Sequence, residues 1–414
     1  MSSSHHTGTP STSVSARHNH ARSTLMTPAA PGLRPKTPAQ SAAIENDPYD
    51  NPALRRFDAG AFTLESGRTI DDVLVGYQTW GTLSEMADNA ILVEHALTGD
   101  AHVVGATGPG QPSGGWWPGL IGPGAPLDTD RFFIVASNVL GGCRGTTGPS
   151  SPAPDGRPWG SRFPQITIRD QVLVEAALAD HLGIERWQLV LGGSMGGMRA
   201  LEWLGSFPQR CDSVLAIATT GCATADQIAW GQAQELAISS DPDYCAGDYY
   251  PGPGPRAGLG LARRIAHTTY RSADELEQRF GVKPQSTEDP LGDGRFAVES
   301  YLDHQAGKLV RRFDAGSYLH LTRAMATHDI GRGRGGVAAV VAAYPGRLHV
   351  AAVDSDRLFP PHLSHELAAA AGVRTSLIRS VCGHDGFLVE TDQIEAIVTD
   401  ALPAGSAGST PRVG

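Results

Sequence analysis

The chain has 414 residues, 40% hydrophobic and 18% charged, which is the composition of a globular protein large enough to bury a substantial core. Its net charge of -10 offers no basic surface for nucleic acid, and no apolar stretch is long enough to cross a bilayer. The five cysteines (Cys143, Cys211, Cys222, Cys245 and Cys382) contain no C-x-x-C pair, which argues against a zinc site or a disulfide framework and for free thiols in a reducing, cytoplasmic compartment.

In chain order, residues 1–50 read as a disordered tail. The first 44 residues are rich in Ser, Thr, Pro and Ala and hold no acidic residue, with no apolar segment of a secretory signal. Folding is expected to begin near Pro52. Val73–Trp80, Ala90–Val93 and Phe132–Ala136 read as strands, and Arg169–Leu182 as a helix stopped by Gly183. Trp187–Leu191 is a short apolar run of buried-strand type. It leads into Gly192-Gly193-Ser194-Met195-Gly196, and a helical pattern with Ala200, Leu201, Trp203 and Leu204 follows as far as Phe207. Val214–Ala218 is the next strand. Residues 221–328 contain helical segments and no convincing strand. The strand pattern resumes at Leu348–Val353 and Thr375–Ile378. This order predicts an α/β fold, a mostly parallel sheet flanked by helices, with a core over residues 51–220 and 329–402. A helical lid would be inserted at 221–328, and a C-terminal tail would cover 403–414.

Strand, glycine-rich turn and helix is the context of a nucleophile elbow, in which G-x-S-x-G presents its serine above the sheet. A serine in such a turn has a second possible use, to cap the helix behind it. As a nucleophile Ser194 needs a base and a group that orients the base. Catalytic groups in parallel sheets gather at the carboxyl ends of strands. There, His384 follows the last strand, and Asp354 and Asp356 follow the strand before it. The order Ser, Asp, His is that of an α/β-hydrolase, but spacing alone does not choose between the two acids. One oxyanion-hole N–H is expected from Met195. The other is expected from Leu97 or Thr98, in the loop after Ala90–Val93.

Five segments carry a resemblance. They are His95-Ala96-Leu97-Thr98-Gly99, Asn138-Val139-Leu140-Gly141-Gly142-Cys143-Arg144-Gly145, Gly192-Gly193-Ser194-Met195-Gly196-Gly197, Ser355-Asp356-Arg357-Leu358-Phe359-Pro360 and Gly383-His384-Asp385-Gly386-Phe387. Spread over about residues 50–402, they resemble the homoserine O-acetyltransferases of methionine biosynthesis, within the α/β-hydrolase superfamily. The resemblance selects Asp356 as the triad acid, with Ser194 and His384. It places Arg263, Asp385 and Tyr270 at the amino-acid substrate. It implies L-homoserine as acceptor, acetyl-CoA as co-substrate, no permanently bound cofactor or metal, and a homodimer. An arginine suits a substrate carboxylate and an acid suits its ammonium, with Arg264 as the obvious decoy for Arg263. The rival readings are a homoserine O-succinyltransferase, a serine O-acyltransferase, an esterase and a non-catalytic binding protein. Paired charges in the acceptor pocket argue against the esterase, and an intact Ser, Asp and His set argues against the binding protein.

Overall fold

The computed structural model describes residues 53–111 and 113–403. The tail expected over 1–50 lies outside the described residues, as does the tail over 403–414 apart from Pro403. Eight strands form the central sheet: β1 (Arg55–Thr63), β2 (Thr69–Trp80), β3 (Ala90–Glu94), β4 (Phe133–Ser137), β5 (Leu189–Gly193), β6 (Ser213–Ile217), β7 (Arg347–Val353) and β8 (Thr375–Ile378). Their spatial order is β1-β2-β4-β3-β5-β6-β7-β8, and β2 alone runs antiparallel to its neighbours.

The central strands are buried at every position because helices cover both faces. Alternation then assigns side chains to two separate cores. Leu92, Val190, Val214 and Val350 join one, and Ile91, Leu189, Leu191 and Leu215 join the other. Every strand expected from apolar runs is present within a few residues of its expected bounds. Of the central sheet, the strand that sequence does not reveal is β1; a separate pair of two-residue strands, Ile121–Gly122 and Leu127–Asp128, is likewise not foreseen. The pairing of β1 with β2 shifts register on both sides of Gly60, and its side chains are mostly exposed or half-exposed. A bulged edge strand has no period-2 pattern to read.

Helix α1 (Ile168–His181) opens with a capping box at Thr167 and Asp170. Helix α2 (Met195–Ser206) follows β5 directly. Between β6 and β7 lie α3 (Ala225–Ser239), α4 (Arg256–Tyr270), α5 (Ala273–Arg279), α6 (Ala297–Val310), α7 (Ala315–Ala326) and α8 (Val337–Ala343). The chain entering this helical stretch pairs with the chain leaving it. Ala223 N donates to His328 O at 2.9 Å and Ile330 N to Gly221 O at 3.0 Å. Helices α9 (Pro361–Ala370), α10 (Gly386–Val389) and α11 (Thr391–Ala401) complete the fold.

A buried charge cluster ties α2 to the sheet and to α1. Arg199 is fully buried, and its Nε and Nη2 donate to Glu175 Oε1 at 2.8 and 2.5 Å. Its Nη1 donates to His95 O at 3.2 Å, and Nη2 also lies against Glu94 Oε2. Trp203 Nε1 donates to Glu175 Oε2 at 3.0 Å. Burial holds the Glu94 carboxyl well above the usual range, against the pull of Arg199 and with the help of Glu175. Replacing Arg199 with leucine strands Glu175 in the interior. Such a variant should lose about 3–5 kcal/mol of stability, read as a lower urea midpoint at unchanged slope. An Arg199→Leu chain as stable as wild type would show that the cluster contributes nothing to the fold.

Candidate active site

Ser194 joins the end of β5 to the start of α2. Its backbone has φ 57 and ψ -122, a region that a non-glycine residue enters only when its surroundings hold it there. Two contacts do so: Ser194 N donates to Ile217 O at 3.0 Å, and Thr219 Oγ1 donates to Ser194 O at 2.9 Å. The flanking glycines permit the approach. A Cβ on Gly196 would sit 2.1 Å from Glu94 O, and one on Gly193 would sit 2.4 Å from the Phe387 ring. The Ser194 side chain makes no capping bond to α2, so the hydroxyl is not spent on the helix.

His384 and Asp356 come from the loops after β8 and β7. Both are buried, and His384 Nδ1 lies 2.6 Å from Asp356 Oδ2. The other carboxylate oxygen, Oδ1, accepts from the backbone N–H groups of Leu358 and Phe359, each at 2.8 Å. The imidazole packs against Phe359, with ring centroids 5.2 Å apart, and meets Phe387 edge-on at 5.4 Å. With Nδ1 committed to Asp356, Nε2 is the nitrogen left for proton transfer. Burial pushes the His384 pKa down, but the charge and hydrogen bond of Asp356, with the Asp385 charge, outweigh burial and raise it above 6.5. Asp354 is engaged elsewhere: its Oδ1 accepts from Ser380 N at 3.0 Å, and its Oδ2 lies 3.4 Å from Arg379 Nη1. The geometry therefore separates two acids that spacing leaves equivalent.

Ser194 and His384 line one cavity of about 170 Å³, shared with Leu97, Thr98, Arg263, Tyr270, Arg312 and Asp385. The Met195 N–H stands at the first position of α2, where no intrahelical acceptor exists. In the opposing loop, Ala96 O accepts from Gly99 N at 2.9 Å and lies 2.8 Å from His95 Nδ1. A trans peptide sets N–H opposite C=O, so anchoring the Ala96 carbonyl turns the Leu97 N–H the other way. His95 itself is neutral. Burial, then the Arg199 charge, lower its pKa to about 3, and Val139 N donates to its Nε2 at 3.2 Å. Among the described residues neither Leu97 N nor Thr98 N has an acceptor.

Arg263 and its neighbour have different surroundings. Arg264 Nη2 pairs with Asp303 Oδ1 at 2.6 Å in a partly exposed bridge. The Nε and Nη1 of Arg263 are buried and have no partner among the described residues, and the guanidinium stands 5.4 Å over the Tyr270 ring. Two buried N–H-bearing nitrogens without an acceptor are a costly arrangement that an anionic ligand would relieve. Asp385 pairs with Arg271 Nη2 at 3.1 Å. Burial raises its pKa, and Arg271, His384 and Arg263 pull it back. Arg271 and Arg312 are site residues that sequence reasoning missed. Arg271 follows the last residue of α4 and Arg312 stands in an Arg-Arg pair after α6, so neither carries a local signal. Among the described residues no cluster of His, Cys, Asp and Glu is arranged to hold a metal ion.

The alpha/beta hydrolase fold family matches residues 89–391. A homoserine O-acetyltransferase of Bacillus anthracis superposes with a TM-score of 0.78 at 26% identity, covering 85% of this chain and 97% of that one. Esterase E22 superposes with a TM-score of 0.77 at 27% identity, over 84% of this chain and 99% of its own. Fold and site thus define an α/β hydrolase in the broad sense, a scaffold shared by esterases and acyltransferases. Sequence narrows it further. The homoserine O-acetyltransferase of Thermobifida fusca is 56% identical over 89% of this chain and 98% of its own length. That of Nocardia farcinica is 53% identical over 89% and 97%. The chain belongs to the homoserine O-acetyltransferase family.

The two acids are separable by experiment. Asp356→Asn should reduce kcat by about 10⁴-fold, the scale of the same change in another serine triad, whereas Asp354→Asn should stay within a few-fold of wild type. The acid limb of the kcat/KM profile should lie above pH 6.5, because His384 must be neutral to act as base and its pKa is raised. In Asp356→Asn that limb should move to lower pH, since burial then acts without its opposing charge. A milder loss in Asp356→Asn than in Asp354→Asn would move the orienting role to Asp354.

Proposed function

We propose that the protein transfers an acetyl group from acetyl-CoA to the hydroxyl of L-homoserine through an acetyl-serine, and that Ser194, His384 and Asp356 carry the chemistry. His384 Nε2 takes the Ser194 proton as Oγ attacks the thioester carbonyl. The oxyanion is held by the N–H groups of Met195 and Leu97, with Thr98 adjoining. The C–S bond breaks and the CoA sulfur leaves with the proton from His384. The homoserine hydroxyl then gives its proton to His384 and attacks the acetyl-serine. Ser194 Oγ recovers the proton as the ester product departs.

The observation that carries this reading over an esterase is the buried Nε and Nη1 of Arg263, without a partner among the described residues, in the same cavity as Ser194 and His384. A neutral ester has no group for them, whereas an amino-acid carboxylate does. Asp385 supplies the anion for the ammonium, and Tyr270 packs between Arg263 and His384, 5.9 Å from the imidazole. Acetyl rather than succinyl as the transferred group is supported by the relatives at 53–56% identity, which are homoserine O-acetyltransferases. The five free cysteines fit a cytoplasmic enzyme. The inserted helices would serve as a lid that favours the bound alcohol over water. The exposed Ile228, Leu236 and Leu261 on α3 and α4 suit a homodimer made through them.

Mass spectrometry after acetyl-CoA alone should find the acetyl group on Ser194, and none in Ser194→Ala. Arg263→Ala should leave CoA release from acetyl-CoA intact and weaken the homoserine step by roughly 2–5 kcal/mol, the range for losing one partner of a desolvated charge pair. Lysine should restore only part of the loss. Equal losses in both half-reactions would remove Arg263 from the acceptor site. Faster CoA release with succinyl-CoA than with acetyl-CoA would overturn the donor assignment.

A further inference from the structure

Carbonyls of the loop after β3 are held both from within the loop and from other parts of the chain. Arg199 of α2 holds His95 O at 3.2 Å. Gly99 N and the His95 ring hold Ala96 O. Trp116 Nε1 holds Asp100 O at 2.8 Å. The Asn138–Gly145 segment supports the loop from behind, with Val139 N on His95 Nε2 and Asn138 Oδ1 accepting from Ala101 N at 2.6 Å. The remaining restraint comes from the inserted helices: Arg312 Nη1 donates to Thr98 O at 2.8 Å.

We propose that Arg312 is a positioning residue for the oxyanion hole, fixing the Thr98–Gly99 peptide from the inserted helices so that the Leu97 and Thr98 N–H groups face the reacting carbonyl. The inference rests on the acyl-serine reading above. With Gly99 N on Ala96 O and Arg312 on Thr98 O, this peptide is pinned at both ends. The base of Arg312 is itself rigid. Phe313 is buried against Tyr318. Asp314 caps α7 at Ser317 N at 2.7 Å and accepts from Tyr249 and Tyr250. Burial, then the Arg263 charge, lower the Arg312 pKa to about 10, so the guanidinium remains charged at neutral pH. Its charge-assisted bond to a carbonyl is stronger than a neutral one.

The role differs from that of Arg263 in which steps it touches. An acceptor-binding residue acts once homoserine arrives, whereas the oxyanion hole acts on every tetrahedral intermediate. Arg312→Met should therefore slow acylation by acetyl-CoA, transfer to homoserine and hydrolysis of p-nitrophenyl acetate by a similar factor, about 10–100-fold. The KM for homoserine should be unchanged. Arg312→Lys, which keeps a cationic donor, should regain part of each rate. The amplitude of the CoA burst reports the folded fraction, so the rate constants remain interpretable if the variant is partly unfolded. Wild-type acylation rates in Arg312→Met, or a loss confined to the homoserine KM, would overturn the inference. A wild-type enzyme that forms no acetyl-Ser194 would overturn both this inference and the reading beneath it.

Discussion

The geometry of the site depends on the contact between the first turn of α2 and the end of β3. At Gly196 the helix backbone meets Glu94 O so closely that no side chain fits between them, and one turn further on Arg199 joins Glu94, Glu175 and His95 O. Buried ion clusters seldom add net stability over a well-packed apolar core. What this one supplies is register. It sets the helix that begins at Met195 and the loop that contains Leu97 at one separation, on either side of the cavity that Ser194 lines. An apolar replacement of equal volume would fill the same space without specifying where the loop carbonyls point.

Two structural layers meet over Ser194. The sheet contributes the groups that any acyl transfer through serine requires, which is consistent with its close superposition on an esterase. The inserted helices contribute Arg263, Tyr270 and Arg312. The layers are joined beside the histidine. Gly383 has φ +70, and a Cβ there would lie 2.6 Å from Ser272 N, while Ser272 Oγ donates to Val381 O at 2.5 Å. The end of α4 is thereby seated on the loop that carries His384. Arg263 and Tyr270 on α4 and the imidazole of His384 are thus mechanically linked.

Much of this was readable before any coordinates. Parallel strands buried on both faces are uninterrupted apolar runs, so β3 to β6 and most of β7 stand out, and an elbow has its own glycine spacing. The strand β1 was hidden because its bulges abolish alternation. Asp354 and Asp356 are equivalent in spacing, and only the direction of a loop separates them. Leu97 and Thr98 differ only in which carbonyl is anchored beside them, a fact of tertiary structure. Arg271 and Arg312 owe their positions to the packing of helices far apart in sequence, for which no local pattern exists. Arg263 could be named by resemblance, but its orphaned N–H groups, which give the name a physical meaning, belong to the folded chain alone.

The paired neck at Gly221–Ala223 and His328–Ile330 has a consequence for how such enzymes diversify. A loop whose ends are already hydrogen-bonded to each other costs the sheet little extra closure entropy however long it grows, because that cost rises only with the logarithm of length. The helices between those ends can therefore lengthen, shorten or be exchanged while the strands on either side keep their register. Such a change would leave the turn at Ser194 and the sheet that carries it in place.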